Sequence, residues 1–412
     1  MKLERWKSNL YFLWIAQVIS LMSFGLGIPF IPYYIQELGV TDPDSVKLYS
    51  GLLSSLPGFA MGLMAPLWGF LADKVGRKLI LLRATFFGIL VLGGLGFAAN
   101  VGHLIFFRIL QGFFTGTVTA SFALVSSGTP DEKMSYALGF MASSNFIGSS
   151  IGPFVGGIMA ENFGYRVSFF IGAVLMIVDF LLILITVKEE NKPVWSDYRK
   201  ELKERKKLKV HKKPIQKLQL IKVVAPLTVM ILIVLFFVKI GGNIAAPYIS
   251  IFVQETRGTL QGSSAVTGSI SGAVGLSTAL AGITISRLGD KRNKKKLILF
   301  LLCGTVLAGI PLFFIENIIL FAAVYCILFY MVGGTEPMLM SMMSENTPKD
   351  KRGFYFGIYS LIGNIGWALS PVIGSAVTIA YGTRTVFLCI PVFFFIAMTG
   401  SIALYKKSKK AL

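Results

Sequence analysis

Apolar residues in this chain come in long runs rather than in alternation. Twelve runs stand out between clusters of charge, Pro and Gly, at about 9–37, 48–71, 79–99, 102–126, 135–160, 165–187, 223–254, 265–288, 297–315, 317–343, 353–380 and 384–405. About 20 apolar residues in a helix rising about 1.5 Å each cross the hydrocarbon of a bilayer. Each run therefore predicts one membrane-crossing helix, and the expected fold is an all-α polytopic membrane protein with twelve transmembrane helices. No period-two alternation persists, which argues against a membrane β-barrel. The basic start "MKLERWK" precedes a run far longer than the apolar core of a signal peptide, so that run reads as span 1.

One run carries unusual punctuation. Residues 148–157 read "GSSIGPFVGG", four glycines and a proline inside otherwise apolar sequence. In a helix Gly costs about 1 kcal/mol and Pro about 3. In a membrane, neighbouring helices re-satisfy what Pro153 frees, and small residues let backbones approach. Gly148, Gly152 and Gly156 recur every fourth residue and predict a flat helix face, expected to be the one on which two halves of the molecule meet.

Composition agrees with a membrane chain. Hydrophobic residues make up 54% and charged residues only 15% of 412, and mean hydropathy is +0.70. The net charge of +20 raises the question of nucleic acid, but its placement answers otherwise. Lys and Arg gather at the N-terminus, at 74–78, 188–222, 291–296, 349–352 and 406–410. The intervening loops hold few of them. This alternation is the positive-inside pattern, so both termini are expected in the cytoplasm of a cell-membrane protein. Segment 188–222 holds 13 Lys/Arg and 5 Asp/Glu and divides the chain into 1–187, a basic linker, 223–405 and a tail, 406–412. It reads as a solvated connector or as an amphipathic helix on anionic headgroups. Cys303, Cys326 and Cys389 lie singly inside spans, and His103 and His211 have no catalytic partners. No P-loop, zinc spacing or Ser-His-Asp set occurs. Neither an enzyme nor a cofactor is expected.

The two sets of six spans repeat each other at an offset of 218. "PFIPYYIQE" at 29–37 matches "PYISIFVQE" at 247–255, Thr129-Pro130 matches Thr347-Pro348, and Gly139, Gly148, Pro153, Gly156, Gly164, Arg166 and Phe169 all recur. Parallel six-span repeats place a substrate site between the halves near the midplane.

Three motifs then carry a resemblance. "GFLADKVGRK" (69–78), with Gly69, Asp73, Gly76, Arg77 and Lys78, "RILQGFFTG" (108–116), and the glycine stretch with Gly148, Gly152, Pro153, Gly156 and Gly157 together resemble the major facilitator superfamily, in its twelve-helix drug/proton antiporter branch. The resemblance spans nearly the whole chain and implies a proton-coupled exporter. In such a protein the first motif locks one access state, Gly69 admitting a close helix and Gly76 a tight turn, while Asp73 meets the positive end of a neighbouring helix and Arg77 and Lys78 meet helix ends or lipid phosphate. The repeat of that loop, "GDKRNKK", has Asn293 for the glycine.

Ionisable residues within spans are expensive and mark function by default. Arg108, with Gln111 one turn on, is implied in proton coupling, or else snorkels to the outer headgroups. Glu336 on span 10 is the candidate proton carrier. Lys239 on span 7 counts to about 25 Å from the linker, at a different depth from Glu336, so no direct pair is expected. Asp179 on span 6 is a coupling or a structural group. Glu37 and Glu255 are external acceptors or caps. Phe30, Tyr33, Tyr34, Phe114, Tyr248 and Tyr330 are candidate cavity aromatics. The expected partners are a small-molecule substrate, protons and the lipid bilayer with its anionic headgroups. No nucleic acid is expected, and a monomer is. Alternative cargoes are a siderophore or lipid made by the cell. A nutrient symporter or a non-transporting sensor is a weaker alternative.

Overall fold

The computed structural model describes residues 4–189, 226–345, 347 and 352–409. The linker beyond Glu189 and the last residues of the tail, including any lipid-bound helix there, lie outside the described residues. Eleven helical stretches are long and apolar enough to cross a membrane. The twelfth, Met134–Phe163, is a continuous helix of 30 residues. Ser, Asn and Gly dilute its hydropathy, yet it packs between spans 1 and 8. All twelve expected spans are thus helical.

Polar side chains start several spans. Asp42 accepts from the Ser45 amide at the head of span 2, Pro43–Val75. Asn100 does the same for His103 in span 4. Asn317 does so for Ile319 and Leu320 in span 10. Each satisfies amides that a helix start leaves without intrahelical partners. Asn293, where the repeat lost its glycine, caps span 9 by accepting from Lys295 and Lys296.

Four spans are broken, two in each half and at matching places. Span 1 runs Arg5–Gly25, turns through Ile28–Phe30 and resumes as Ile31–Glu37. Span 7 repeats this with Pro226–Asn243, Ala246–Tyr248 and Ile249–Arg257. Pro29, Pro32 and Pro247 withhold amide donors at these turns. Span 4 breaks between Val101–Phe114 and Thr117–Gly128, where Gly116 has φ 120°, a backbone that favours glycine. Span 10 breaks between Ile318–Gly333 and Thr335–Glu345, at Gly334, 218 residues on.

The halves meet chiefly along two pairs: span 2 against span 11, Arg352–Tyr381, and span 5 against span 8, Ser263–Lys291. Their contact is uneven in depth. Gly51, Gly58, Gly62 and Gly69 form one stripe on span 2. A β-carbon at Gly51 would meet Tyr248 Oη at 2.6 Å and Pro371 O at 2.8 Å, and one at Gly58 would meet the Trp367 ring at 2.8 Å. At Gly62 and Gly69, further toward the linker, it would meet nothing within 4 Å, and neither would one at Gly357 on span 11. The halves are therefore shut on the side away from the linker, here the far side, and parted on the linker side.

Candidate functional site

A cavity of about 300 Å³ lies between the halves, lined by Pro29 and Pro32 of span 1, Arg108, Asn243, Tyr325, Phe329 and Trp367 among others. Its walls are largely the broken segments, where backbone departs from the helix. Arg108 explains its own position. Pro57 on span 2 has no N–H, so the carbonyl of Leu53, four residues back, lacks its helical donor. Arg108 Nε supplies one at 2.7 Å, and Nη1 donates to Gln111 Oε1 at 2.6 Å. The side chain is 4% exposed. It turns inward to the cavity and does not snorkel.

Lys239 and Glu336 are brought together against expectation: Nζ lies 2.7 Å from Oε2, across spans 7 and 10. Depth counted along the helices misses this because side chains lean toward their own helix N-terminus. Span 7 runs away from the linker side and span 10 toward it, so the two side chains lean toward each other. Glu336 also sits in the first turn of the half-helix Thr335–Glu345, whose N-terminal end favours negative charge. Both groups keep contact with the open interior, 26% and 47% exposed. Tyr359 Oη donates to the Glu336 carbonyl at 3.3 Å.

Most of the expected cavity aromatics do other work. Tyr33 Oη donates to Ser250 O at 2.6 Å across the seam. Tyr34 Oη donates to Leu95 O at 3.1 Å within its own half. Tyr248 Oη donates to Pro371 O at 2.6 Å. These three and Phe30 are at most 1% exposed, so they seal and pack, and are corrected as cavity residues. The turns in spans 1 and 7 point them away from the interior and present Pro29, Pro32 and Asn243 instead. Phe114 stacks on Phe87 at 4.1 Å, and Tyr330 bonds Thr284 at 2.8 Å. Trp367 takes the cavity role. Sequence alone offered no sign of it, because its placement depends on which helix face turns inward.

The glycine stretch on span 5 has two faces. β-carbons at Gly148, Gly152 and Gly156 would strike span 1 of the same half, at Leu21 Cβ (2.7 Å), Met22 O (2.9 Å) and Leu26 Cα (2.6 Å). Pro153 abuts Gly25, also on span 1. The expected meeting of the halves on that face is corrected. Gly157, on the neighbouring face, is the one pressed against the other half, where a β-carbon would lie 2.5 Å from Ser264 O and 3.0 Å from Gly268 Cα.

Several groups hold the signature loop. Gly76 turns with φ 101°. Gly69 meets no helix, because the halves have parted there. The Asp73 side chain lies outside what is described. Arg77 Nη1 donates to Ala123 O at 2.8 Å and Lys78 Nζ to Leu184 O at 2.9 Å, near the ends of spans 4 and 6. Glu189, at the mouth of the linker, accepts from the Arg77 and Lys78 amides at 2.7 and 3.1 Å. It caps span 3 from outside, a role no local sequence signal could announce across more than a hundred residues. Lys294 in the repeat loop bonds Ser341 at 2.7 Å and pairs with Glu345. Asp179 is 1% exposed, faces the helix core and not the cavity, and both its oxygens lack a partner among the described residues. Glu37 pairs with Arg166 at 3.8 Å, and Glu255 accepts from Thr383 at 2.7 Å.

Known proteins of the same shape are transporters. A bacterial homologue of the human lysosomal transporter Spinster, in an inward-facing and occupied conformation, superposes with TM-score 0.76 at 14% identity, covering 98% of each chain. The nucleoside transporter NupG (D323A mutant) superposes with TM-score 0.74 at 14% identity, covering 96% of this chain and all of that one. By sequence, a multi-drug resistance efflux pump PmrA homolog of Lactococcus lactis is 34% identical over 91% of this chain and 89% of its own. The multidrug resistance protein MdtG of a Rahnella species is 29% identical over 93% and 90%. The sequence model of the Major Facilitator Superfamily matches residues 13–259 and 231–411. With both six-span halves covered by that model, the chain belongs to the Major Facilitator Superfamily.

Proposed function

We propose that this transporter exports amphipathic small molecules in exchange for protons, by rocking its halves (1–187 and 223–405) about the cavity. The relative named as a multi-drug resistance efflux pump supports the direction, and it and the relative named as a multidrug resistance protein support the cargo class. The positive-inside pattern supports placing the linker side in the cytoplasm, so that the parted side faces inward and takes cargo from the cell or its membrane. The observation that carries the coupling is the Lys239–Glu336 pair. A proton on Glu336 cancels the charge that Lys239 holds, so the proton and a cargo that engages the carboxylate compete for one group. Arg108 stays charged and acts from the cavity wall as a fixed positive group, tuning the interior without carrying the proton.

The test is dye extrusion from energised cells or vesicles. Glu336→Gln cannot exchange a proton, and active extrusion is expected to fall to the level of passive leak. Extrusion by Glu336→Gln at the parental rate would refute the role.

A further inference from the structure

The far seam closes the molecule opposite the cavity entrance, and among the described residues nearly all its polar bonds are uncharged. Gln36 and Gln254, 218 residues apart, exchange two amide bonds of 2.8 Å. Tyr33 bonds Ser250 O and Thr267 Oγ1, at 2.6 and 2.8 Å. Tyr165 bonds Ser264 at 3.1 Å, and Ser375 donates to Lys47 O at 3.3 Å. None of these partners changes charge between pH 4 and pH 8, roughly the range in which carboxylates and imidazoles titrate.

One bond differs. Glu161, near the end of span 5, accepts from the Gly262 amide with Oε1 at 2.6 Å. Gly262 is the residue before span 8, so the carboxylate of one half sits on the helix start of the other. That position combines a charge-assisted hydrogen bond with the favourable end of a helix dipole. Glu161 has no acidic counterpart in the repeat, since the residue 218 positions on is Ile379. The titratable groups around it are Tyr33, Tyr165 and Arg257, with Glu37 beyond, itself paired with Arg166. Arg257 is turned onto its own loop, donating to Gln261 O at 3.4 Å.

We propose that Glu161 is the outer latch of the transport cycle: its carboxylate holds the far mouth shut across the seam. The shut state has the bond to the Gly262 N–H and the open state does not, so losing that bond favours opening. The latch acts on the gate through which cargo leaves, at a site separate from Glu336. Glu161 acts as a positioning residue and contacts no cargo. The inference rests on the alternating-access reading above.

The experiment labels Thr41→Cys and Thr259→Cys, both exposed and both lining the surface depression over the seam, with spin labels in reconstituted protein, and reads their separation. Glu161→Ala is expected to raise the open-to-shut ratio about tenfold, the equivalent of about 1.4 kcal/mol, in line with the loss of one charge-assisted hydrogen bond. In Glu161→Gln the amide oxygen still accepts, so the mouth should stay closer to the parent's. A Glu161→Ala mouth as shut as the parent's would overturn the latch. A mouth that opens with ethidium equally in the parent and in Glu161→Ala refutes the latch alone. A separation fixed in both, with and without ethidium, refutes alternating access as well.

Discussion

At the scale of single residues, the chemistry of the interior turns on what a proline leaves undone. Pro57 orphans the Leu53 carbonyl and Arg108 fills the vacancy. Replacing Pro57 by Ala returns an amide donor to Leu53, which competes with Arg108 for the same oxygen. A charge-assisted hydrogen bond is worth about 1.5–3 kcal/mol, so Pro57→Ala is expected to lower transport about tenfold or more while the unfolding midpoint stays level or rises. A variant that loses stability and transport together would contradict this assignment. The Lys239–Glu336 pair makes a complementary case. Being partly exposed, it contributes little to the fold, and a double-mutant cycle on stability should return a coupling of about 1 kcal/mol or less. Lys239→Ala and Glu336→Gln should each disable proton-driven flux far out of proportion to that figure. Arg108, Lys239 and Glu336 were legible in the sequence as charges in oil. Gln111, one turn from Arg108, was legible too; the Leu53 carbonyl and the Lys239–Glu336 pairing were not, because a contact between spans depends on helix direction and side-chain lean, and Glu161 and Glu189 escaped notice because they sit at span ends, where acids are ordinary.

At the scale of elements, glycines divide into those that admit a neighbour and those that wait for one. Gly152 lies against span 1, with Met22 O 2.9 Å and Gly25 Cα 3.0 Å from where a β-carbon would be. Overpacking of this kind costs about 1–3 kcal/mol, and Gly152→Val should lower the thermal stability of purified protein accordingly. Gly69 faces open space in this state. Ala is the better helix former by about 1 kcal/mol, so Gly69→Ala should fold as well as the parent or better. It should nevertheless transport poorly, because the close approach of the other half comes only when the linker side shuts. Parental transport by Gly69→Ala would mean that no such approach occurs. The twelve spans and the repeat were readable from hydrophobic runs and the 218-residue offset. The matched breaks in spans 4 and 10 were not, since glycine in a membrane helix signals packing as often as interruption; Gly116 differs from its neighbours only in the backbone it adopts, and Gly334 stays near helical backbone at φ −84°.

At the scale of the whole molecule, one arrangement links these parts: a far seam of mostly neutral bonds, a cavity walled by four broken spans, and a linker side parted along the stripe from Gly62 to Gly69. Rigid halves pivoting about the cavity would exchange the closed and parted sides, with the span 5 glycines keeping span 1 fixed to its own half as the other half moves. Cysteines at Gln36 and Gln254, whose amides touch across the seam, joined by a short reducible reagent, should stop transport until the link is cut. The most direct measurement of the central claim records dye and proton movement together in vesicles under an imposed proton gradient. Dye is expected to move uphill, with protons flowing the opposite way, and both fluxes should cease in Glu336→Gln and in the cross-linked protein. Dye movement that ignores the gradient, or that proceeds at an equal rate with the far mouth linked shut, would contradict the account.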